Sequence, residues 1–440
     1  MHRYLNAWIA YPLAERWTGR DIRRKVTVLR AEMALPFAER RRRRLERLAG
    51  VIERAARDVP YYRDLVRTCA FDPRRVARDE KYLGDLPFLT KDIVREQGAR
   101  LLSERFVREK LHLRKTGGST GPTTPIYYDD EALDWSAAVN LAAREWAGKS
   151  LGMKEAHLAS RFPEVFPWKD RVKERLKCLA TNRANIFIDT FEPNGLDALW
   201  RELIRFRPYL LQGHPSTLYA LAVHLRDNRH DASGVFQVFE STGEVLDPKK
   251  RELIESTFHC RAIDRFGNAE FGVVAYEQIA EPSNRLRVLD AVAWPETVDH
   301  ESGSTELVLS GLLNEAMPLV RYRTGDLAEL IREDDGLYVS RIVGRVHDVV
   351  QIGAKKFPTH YIQDLVDRLD GVDEFQVEQR LDGALTLRLV VPDAGRHPAI
   401  SRRVEQWWGD RVELEFTNFA GLERRGWQNK FRYLVDQTSV

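Results

Sequence analysis

From about residue 110 to residue 330, short apolar segments alternate with stretches of helical periodicity, and this alternation limits the folds open to the chain. Residues 184–188, 210–212, 235–240, 261–266 and 306–310 have the length and β-rich composition of strands. Residues 195–205 and 216–228 carry helical patterns between them. Interleaved strands and helices predict an α/β architecture. With 440 residues the chain is too long for one ordinary core, so several subdomains are expected.

Before residue 110 helical patterns dominate, with a helical segment over about 1–70. Leu5, Trp8, Ile9, Leu13 and Trp17 recur at roughly helical spacing among Arg3 and Arg16. Such a helix either lies on a membrane surface or packs on the protein's own body, and the second is the expectation. Residues 21–66 read as helix. The arginine run at 40–44, flanked by Glu39 and Glu46, is expected on a solvated face of it. Pro60, Pro73 and Pro87 then punctuate a looser stretch.

A change near Gly344 opens a small unit: a turn, a helix at 358–369, strands at 374–380 and 384–391, a Trp-bearing helix at 400–408 and a strand at 412–416. The expected organisation is a large α/β part over 1–343 and a small α+β part over 344–440.

Lys and Arg number 69 against 66 Asp and Glu, a formal charge of +3, which is too balanced for a nucleic-acid binder. Cys69, Cys178 and Cys260 lie far apart with no CxxC pair, so a disulfide framework or zinc site is not expected. No apolar run is long enough to span a bilayer and the start lacks a signal-peptide core; a cytoplasmic location is the expectation.

Four constellations carry chemistry. Thr116-Gly117-Gly118-Ser119-Thr120-Gly121-Pro122-Thr123 can turn tightly and present N–H groups and hydroxyls to a polyphosphate, although it lacks the Gly-Lys-Ser/Thr ending of a Walker A loop. Ser241-Thr242-Gly243-Glu244 is followed by Arg265-Phe266-Gly267-Asn268-Ala269-Glu270, where an aromatic ring can stack on a purine and a carboxylate can meet phosphate-bound Mg²⁺. Arg321-Tyr322-Arg323-Thr324-Gly325-Asp326 sets a carboxylate on a glycine-supported turn, suited to two vicinal ribose hydroxyls. Gly344, Arg345 and Asp348, with Asn429-Lys430-Phe431-Arg432, place a lysine near the tail, and a mobile lysine can neutralise a carboxylate and a phosphate together. Singly, each also reads as an ordinary surface turn, strand end, capping aspartate or solvated charge.

In this order and spacing, the motifs resemble the adenylate-forming superfamily of acyl-CoA synthetases, peptide-synthetase adenylation domains and luciferases. Val59-Pro60-Tyr61-Tyr62-Arg63 and Leu86-Pro87-Phe88-Leu89-Thr90-Lys91 resemble its phenylacetate–CoA ligase and CapK-like branch in particular. The likeness covers almost the whole chain. It implies a large multi-subdomain N-terminal domain and a small mobile C-terminal one, and an ATP-dependent ligase that makes an acyl-adenylate from a carboxylic acid, aromatic acids included.

On that resemblance Thr116, Gly117, Gly118, Ser119, Thr120 and Gly121 would hold the β- and γ-phosphates. Gly243, Glu244 and Phe266, with Gly267 and Asn268, would border the adenine, and Glu270 would engage Mg²⁺. Asp326 would bind the ribose, Arg341 or Arg345 would support ribose and phosphate, and Lys430 would bridge carboxylate and α-phosphate. His214, Pro215, Ser216 and Gly243 would line the acyl pocket, with residues 160–168 nearby as either a pocket wall or a packed loop. His347 and Asp348 would form the hinge. Coenzyme A, an amine or a carrier-protein thiol would accept the acyl group, and a monomer or homodimer is expected.

Three departures stand out: Pro122 replaces a common lysine, His347 a common aspartate, and the stretch before Lys430 lacks the usual Ser-Gly. Two other classes stay open, an adenylyltransferase that leaves AMP on a hydroxyl and a non-catalytic nucleotide-binding relative.

Overall fold

The structure, a computed structural model, describes residues 2–115, 124–160, 167–282, 284–301, 304–345, 349–353, 355–425 and 430–437. The chain forms two compact units. One takes residues 2–115 and 124–153 with Ile263–Ile342; the other takes Lys154–Ala262 and Val343–Val440.

In the first unit, a seven-stranded sheet runs in the order Ala293–Asp299, Thr305–Gly311, Tyr322–Arg332, Leu337–Arg345, Leu286–Val288, Gly272–Glu277, Arg265–Asn268. Hairpin-linked neighbours pair antiparallel, as with Trp294 opposite Ser310 and Phe266 opposite Ala275. Helices Ile22–Met33, Phe37–Asp58, Pro60–Thr68 and Asp130–Trp146 bury their apolar faces in the same unit. The single helix expected over 21–66 is three. Pro36 caps the second and Pro60 opens the third, with Val59 extended before it, because a proline lacks the N–H that would continue a helix.

The arginine run does not lie wholly in solvent. Arg42 and Arg43 are exposed and pair with Glu39, but Arg40 and Arg44 are 3% and 2% exposed. Arg40 binds Asp290 at 2.9 Å and donates to the carbonyls of Leu35 and Asp335, each at 2.7 Å. Arg44 binds Glu32 at 2.7 Å and reaches Asp290 at 3.5 Å. Helical periodicity explains the split, since residues 40 and 44 share the face that carries the buried Phe37, Leu48 and Val51.

The first helical segment, His2–Leu5, a π turn Asn6–Ala10, and Tyr11–Thr18, departs from expectation more sharply. Its buried side is Tyr11 and Glu15, whereas Leu5, Trp8, Ile9, Leu13 and Trp17 are all exposed. The apolar face is turned outward.

The second unit contains a five-stranded sheet in the order Arg183–Ile188, Glu155–Ser160, Leu210–Gly213, Val238–Ser241, Arg261–Ile263. The first three pairings are parallel, with Gly213 opposite Ser241. Helices Pro193–Phe206, Pro215–Asp227 and Pro248–Phe258 follow individual strands, and their buried residues join one core with Ala156, Leu211 and Phe239. The strand expected over 235–240 starts only at Val238, and that over 261–266 is two strands divided at Asp264.

Val343–Val440 contributes a four-stranded sheet, Val412–Thr417, Leu385–Val390, Glu374–Gln379, Leu434–Asp436, with helix His397–Trp408 and a core around Leu387, Leu389, Ile400 and Val404. It is tied to helix Pro248–Phe258 by Lys250. That ammonium lies 2.6 Å from the Tyr433 hydroxyl, 2.7 Å from Glu374 and 3.4 Å from Asp247. Burial alone would lower the Lys250 pKa, but Glu374, Tyr433 and Asp247 together hold it well above the ordinary value.

Asp290→Ala would strand Arg40 and Arg44 without their buried carboxylate. A loss of about 3–5 kcal/mol is expected in urea unfolding, whereas Glu46→Ala on the solvated face should change it by less than about 0.5 kcal/mol.

Candidate functional site

In the first unit the candidate site is built on strand Tyr322–Arg332, and a loop and helix Pro60–Thr68 brace its start. Leu89 N–H donates to the Arg321 carbonyl and Arg323 N–H donates to the Leu89 carbonyl, both at 2.9 Å, a parallel bridge between sequence-distant segments. The Tyr62 hydroxyl accepts the Val320 N–H at 3.0 Å. Arg321 adopts φ +52°, and its guanidinium donates to the carbonyls of Gly84 and Leu86, pairs with Glu296 at 3.1 Å and lies over the Phe88 ring. Thus the two branch-typical stretches, 59–63 and 86–91, act on one strand.

From that strand the Tyr322 hydroxyl donates to Glu270 Oε1 at 2.9 Å. The Tyr128 hydroxyl lies 2.6 Å from the carbonyl oxygens of both Ala269 and Glu270; burial pushes its pKa up, so it remains a neutral donor. Glu270 is thereby fixed in backbone and side chain at 7% exposure.

Gly267 has a steric reason: a Cβ there would stand 2.3 Å from the Gly272 carbonyl oxygen. Asn268 is engaged in the turn, its Oδ1 accepting the Phe271 N–H at 3.0 Å. Phe266 is largely buried. On the strand itself, Thr324 Oγ1 accepts the Asp326 N–H at 3.1 Å and donates to the Leu307 carbonyl at 2.8 Å. Glu306 accepts the Gly325 N–H at 3.0 Å, with Gly325 at φ +77°. Asp326 is buried.

The second unit carries Lys430. Strands Leu210–Gly213 and Val238–Ser241 are parallel neighbours, so His214 and Gly243 follow their carboxyl ends, where open α/β sheets gather functional groups. The Thr242 N–H donates to the Gly213 carbonyl at 3.1 Å, and His214 Nδ1 lies 2.7 Å from the Thr242 carbonyl oxygen. Glu244 is the joint. Its Oε2 accepts the Ser216 N–H at 3.1 Å, at the start of helix Pro215–Asp227, and its Oε1 accepts the Phe431 N–H at 2.8 Å.

The second bond holds the strand Lys430–Phe431 against the Gly243 turn. A Cβ on Gly243, where φ is +80°, would stand 2.8 Å from Cε1 of His214 and 3.1 Å from Cε of Lys430. Arg424 donates to Ser216 Oγ at 3.0 Å over the Phe191 ring. Burial by itself would raise the Glu244 pKa; His214, Arg424 and the Ser216 bond outweigh it and hold the carboxyl below its ordinary value.

Of the expected site residues, Phe266, Gly267, Asn268, Glu270 and Asp326 therefore belong to the first unit; the expected acyl-pocket residues His214, Pro215, Ser216 and Gly243, with Glu244 and the expected catalytic Lys430, belong to the second. The Glu244 carboxylate, expected to border adenine, accepts two backbone N–H groups and so also supports the strand that carries Lys430. Trp168, expected near the acyl pocket, is 64% exposed. Residues 116–123 and 161–166, His347 and Asp348, and the side chains of Arg341 and Arg345 lie outside the described residues. Tyr322, Tyr128 and Arg424 were not singled out from the sequence; only Tyr322 fell inside a motif.

No protein-family model matches the chain. Among curated proteins, CapK of Staphylococcus aureus is 23% identical over 332 residues, 73% of this chain and 72% of CapK. The phenylacetate–coenzyme A ligase of Pseudomonas putida is 26% identical over 347 residues, 72% of this chain and 74% of that enzyme. Among solved structures, 2-hydroxyisobutyryl-CoA ligase in the postadenylation state with 2-HIB-AMP superposes with a TM-score of 0.70 at 18% identity, covering 92% of this chain and 90% of that one. The fold is thus that of the adenylate-forming CoA ligases.

Glu244→Gln separates charge from shape. The folded pKa of Glu244 is depressed, so its contribution is complete above the unfolded value of about 4.3 and is lost as pH falls through the lower folded value. Urea midpoints followed from neutral to acid pH should fall more gently for the variant than for the parent. At neutral pH the variant should be less stable by about 1–3 kcal/mol.

Proposed function

We infer that this chain, with the adenylate-forming fold and with CapK and phenylacetate–coenzyme A ligases as relatives, is an AMP-forming ligase. It joins a carboxylic acid to the α-phosphate of ATP with release of pyrophosphate, then passes the acyl group to an acceptor. One observation carries the reading: Lys430 is held beside the Gly243 turn, at the carboxyl ends of two parallel strands, by the Glu244–Phe431 hydrogen bond.

Attack of a carboxylate on an α-phosphate brings two anions together. An ammonium between them lowers that repulsion and follows the charge as it builds in the transition state. No covalent protein nucleophile is required; the rate comes from in-line positioning and charge neutralisation. Ser119, Thr120 and the backbone of 117–121 would hold the outer phosphates, Phe266, Gly267 and Gly243 the adenine, and Asp326 the ribose hydroxyls, with Arg341 or Arg345 beside ribose and phosphate.

Glu270 suits Mg²⁺ carried in on the phosphates. Such an ion keeps its waters and phosphate oxygens and takes one or two carboxylates from protein. Glu270 is a single, braced carboxylate, and no group of three or more His, Cys, Asp and Glu among the described residues is arranged to hold a metal without nucleotide. When bound, the ion would offset charge on the departing pyrophosphate.

Coenzyme A is the acceptor favoured by kinship with named coenzyme A ligases, an amine or carrier-protein thiol being the other acceptor chemistries. Residues 344–440 would act as the mobile part, turning at His347 and Asp348 between the two half-reactions. His214, Pro215 and Ser216 would form one wall of the acyl pocket.

A pyrophosphate-release screen over aromatic, aliphatic and amino acids tests the reading. At least one acid should support release, and Lys430→Ala should lower kcat for it by roughly 10²–10³-fold with ATP still bound. Tight ATP binding without release across the panel, or unchanged turnover in Lys430→Ala, would remove it. Asp326→Ala should raise the KM for ATP by about tenfold or more while leaving the KM for the acid nearly unchanged.

A further inference from the structure

The first helical segment turns its apolar side chains to solvent, and what would cover them follows from their arrangement. Leu5, Ile9, Leu13 and Trp17 are spaced by four residues, a spacing that drifts around an α-helix at about 100° per residue. The π turn Asn6–Ala10 advances each residue by less and subtracts from that drift, drawing the four toward one ridge. Trp8 lies beside them. Trp8 and Trp17 are 75% and 78% exposed, and Leu5, Ile9 and Leu13 exceed half exposure.

The opposite side is anchored. Tyr11 is buried, and Glu15 accepts the Arg23 N–H at 2.8 Å and pairs with the Arg23 side chain. The ridge therefore cannot turn inward without breaking the contacts that orient the segment.

Charge distinguishes among possible occupants. No acidic residue is among the exposed positions from Tyr4 to Gly19. Residues 1–30 hold seven Lys and Arg against two acids, an excess of five, while the whole chain carries +3. Arg16, Arg20, Arg23 and Arg24 line one concave basin at the end of the ridge together with Glu15 and Asp21; Arg23 pairs with Glu15, Arg24 with Asp21 and Arg20 with Asp134, and Arg16 stands exposed beside Trp17. An aliphatic ridge with tryptophans on it and arginines at its margin matches the boundary between acyl chains and anionic headgroups.

We propose that this segment lies on an anionic lipid surface. Leu5, Ile9, Leu13, Trp8 and Trp17 enter the headgroup–acyl boundary and the arginines meet lipid phosphates. The helix lies in the plane of the surface; no helix among the described residues is long and apolar enough to cross a membrane. This holds whether or not the ligase reading does.

The test is co-sedimentation of the full chain with vesicles of phosphatidylcholine containing about one-third phosphatidylglycerol, against phosphatidylcholine alone, at about 0.1 M salt. The full chain should pellet with the anionic vesicles and much less with neutral ones. The triple variant W8S/L13S/W17S should lose binding by about tenfold or more, with its melting temperature unchanged. R16E/R24E, which keeps the ridge, should lose binding to anionic vesicles selectively. Failure of the parent to pellet, equal binding to both vesicle types, or undiminished binding by the triple variant overturns the proposal. A smaller assembly on light scattering for the triple variant, without loss of vesicle binding, would instead assign the ridge to a second copy of the chain.

Discussion

One carboxylate, its side chain 9% exposed, determines where Lys430 stands. Glu244 accepts N–H groups from Ser216 and from Phe431, residues 28 and 187 positions away, and so fastens a helix start and the last part of the chain to one turn. Two charge-assisted bonds in a desolvated setting are stronger than the same bonds in water, and breaking either leaves a buried donor unmatched. His214 and Arg424 supply the positive surroundings that keep the carboxylate ionised. Gly243 must be glycine for Lys430 and His214 to approach as they do. The chemistry assigned to Lys430 depends on this joint.

The first unit braces Glu270 and Asp326, the residues proposed to meet nucleotide, in the same way. Leu89, Tyr62 and Arg321 fix the start of strand Tyr322–Arg332; Tyr322 then fixes Glu270, while Thr324 and Glu306 fix the backbone that carries Asp326. Glu270 is oriented by Tyr322, 52 positions away, and Asp326 by its near neighbour Thr324 together with Glu306 on the adjacent strand. Preorganised charge of this kind does not have to be rearranged during reaction, which is where an enzyme without a covalent nucleophile finds its rate.

Much of the fold was legible because it rests on local periodicity: strands 184–188, 210–212 and 306–310 and helices 195–205 and 216–228 occur within a few residues of where the pattern predicts. Proline positions should have divided the helix over 21–66. The arginine run misled because charge was read as solvation, whereas helical spacing sends residues 40 and 44 inward to Asp290. The apolar ridge at Leu5, Trp8, Ile9, Leu13 and Trp17 is legible, but its outward direction is not, because periodicity identifies a face without saying what it meets. Glu270 and Asp326 stand out in the sequence as motif residues, with their roles a proposal, but the long-range contacts that orient them do not. The Glu244–Phe431 bond spans 187 positions, and nothing near either residue signals the other.

The fate of a carboxylate oxygen tests the central claim most directly. With the acid that supports pyrophosphate release, labelled with ¹⁸O in its carboxylate, turnover in the presence of an acceptor should yield AMP carrying one heavy oxygen, because that oxygen bridges acyl carbon and phosphorus before the acceptor displaces AMP. Unlabelled AMP, or ADP as the nucleotide product with the label in phosphate, would contradict the account.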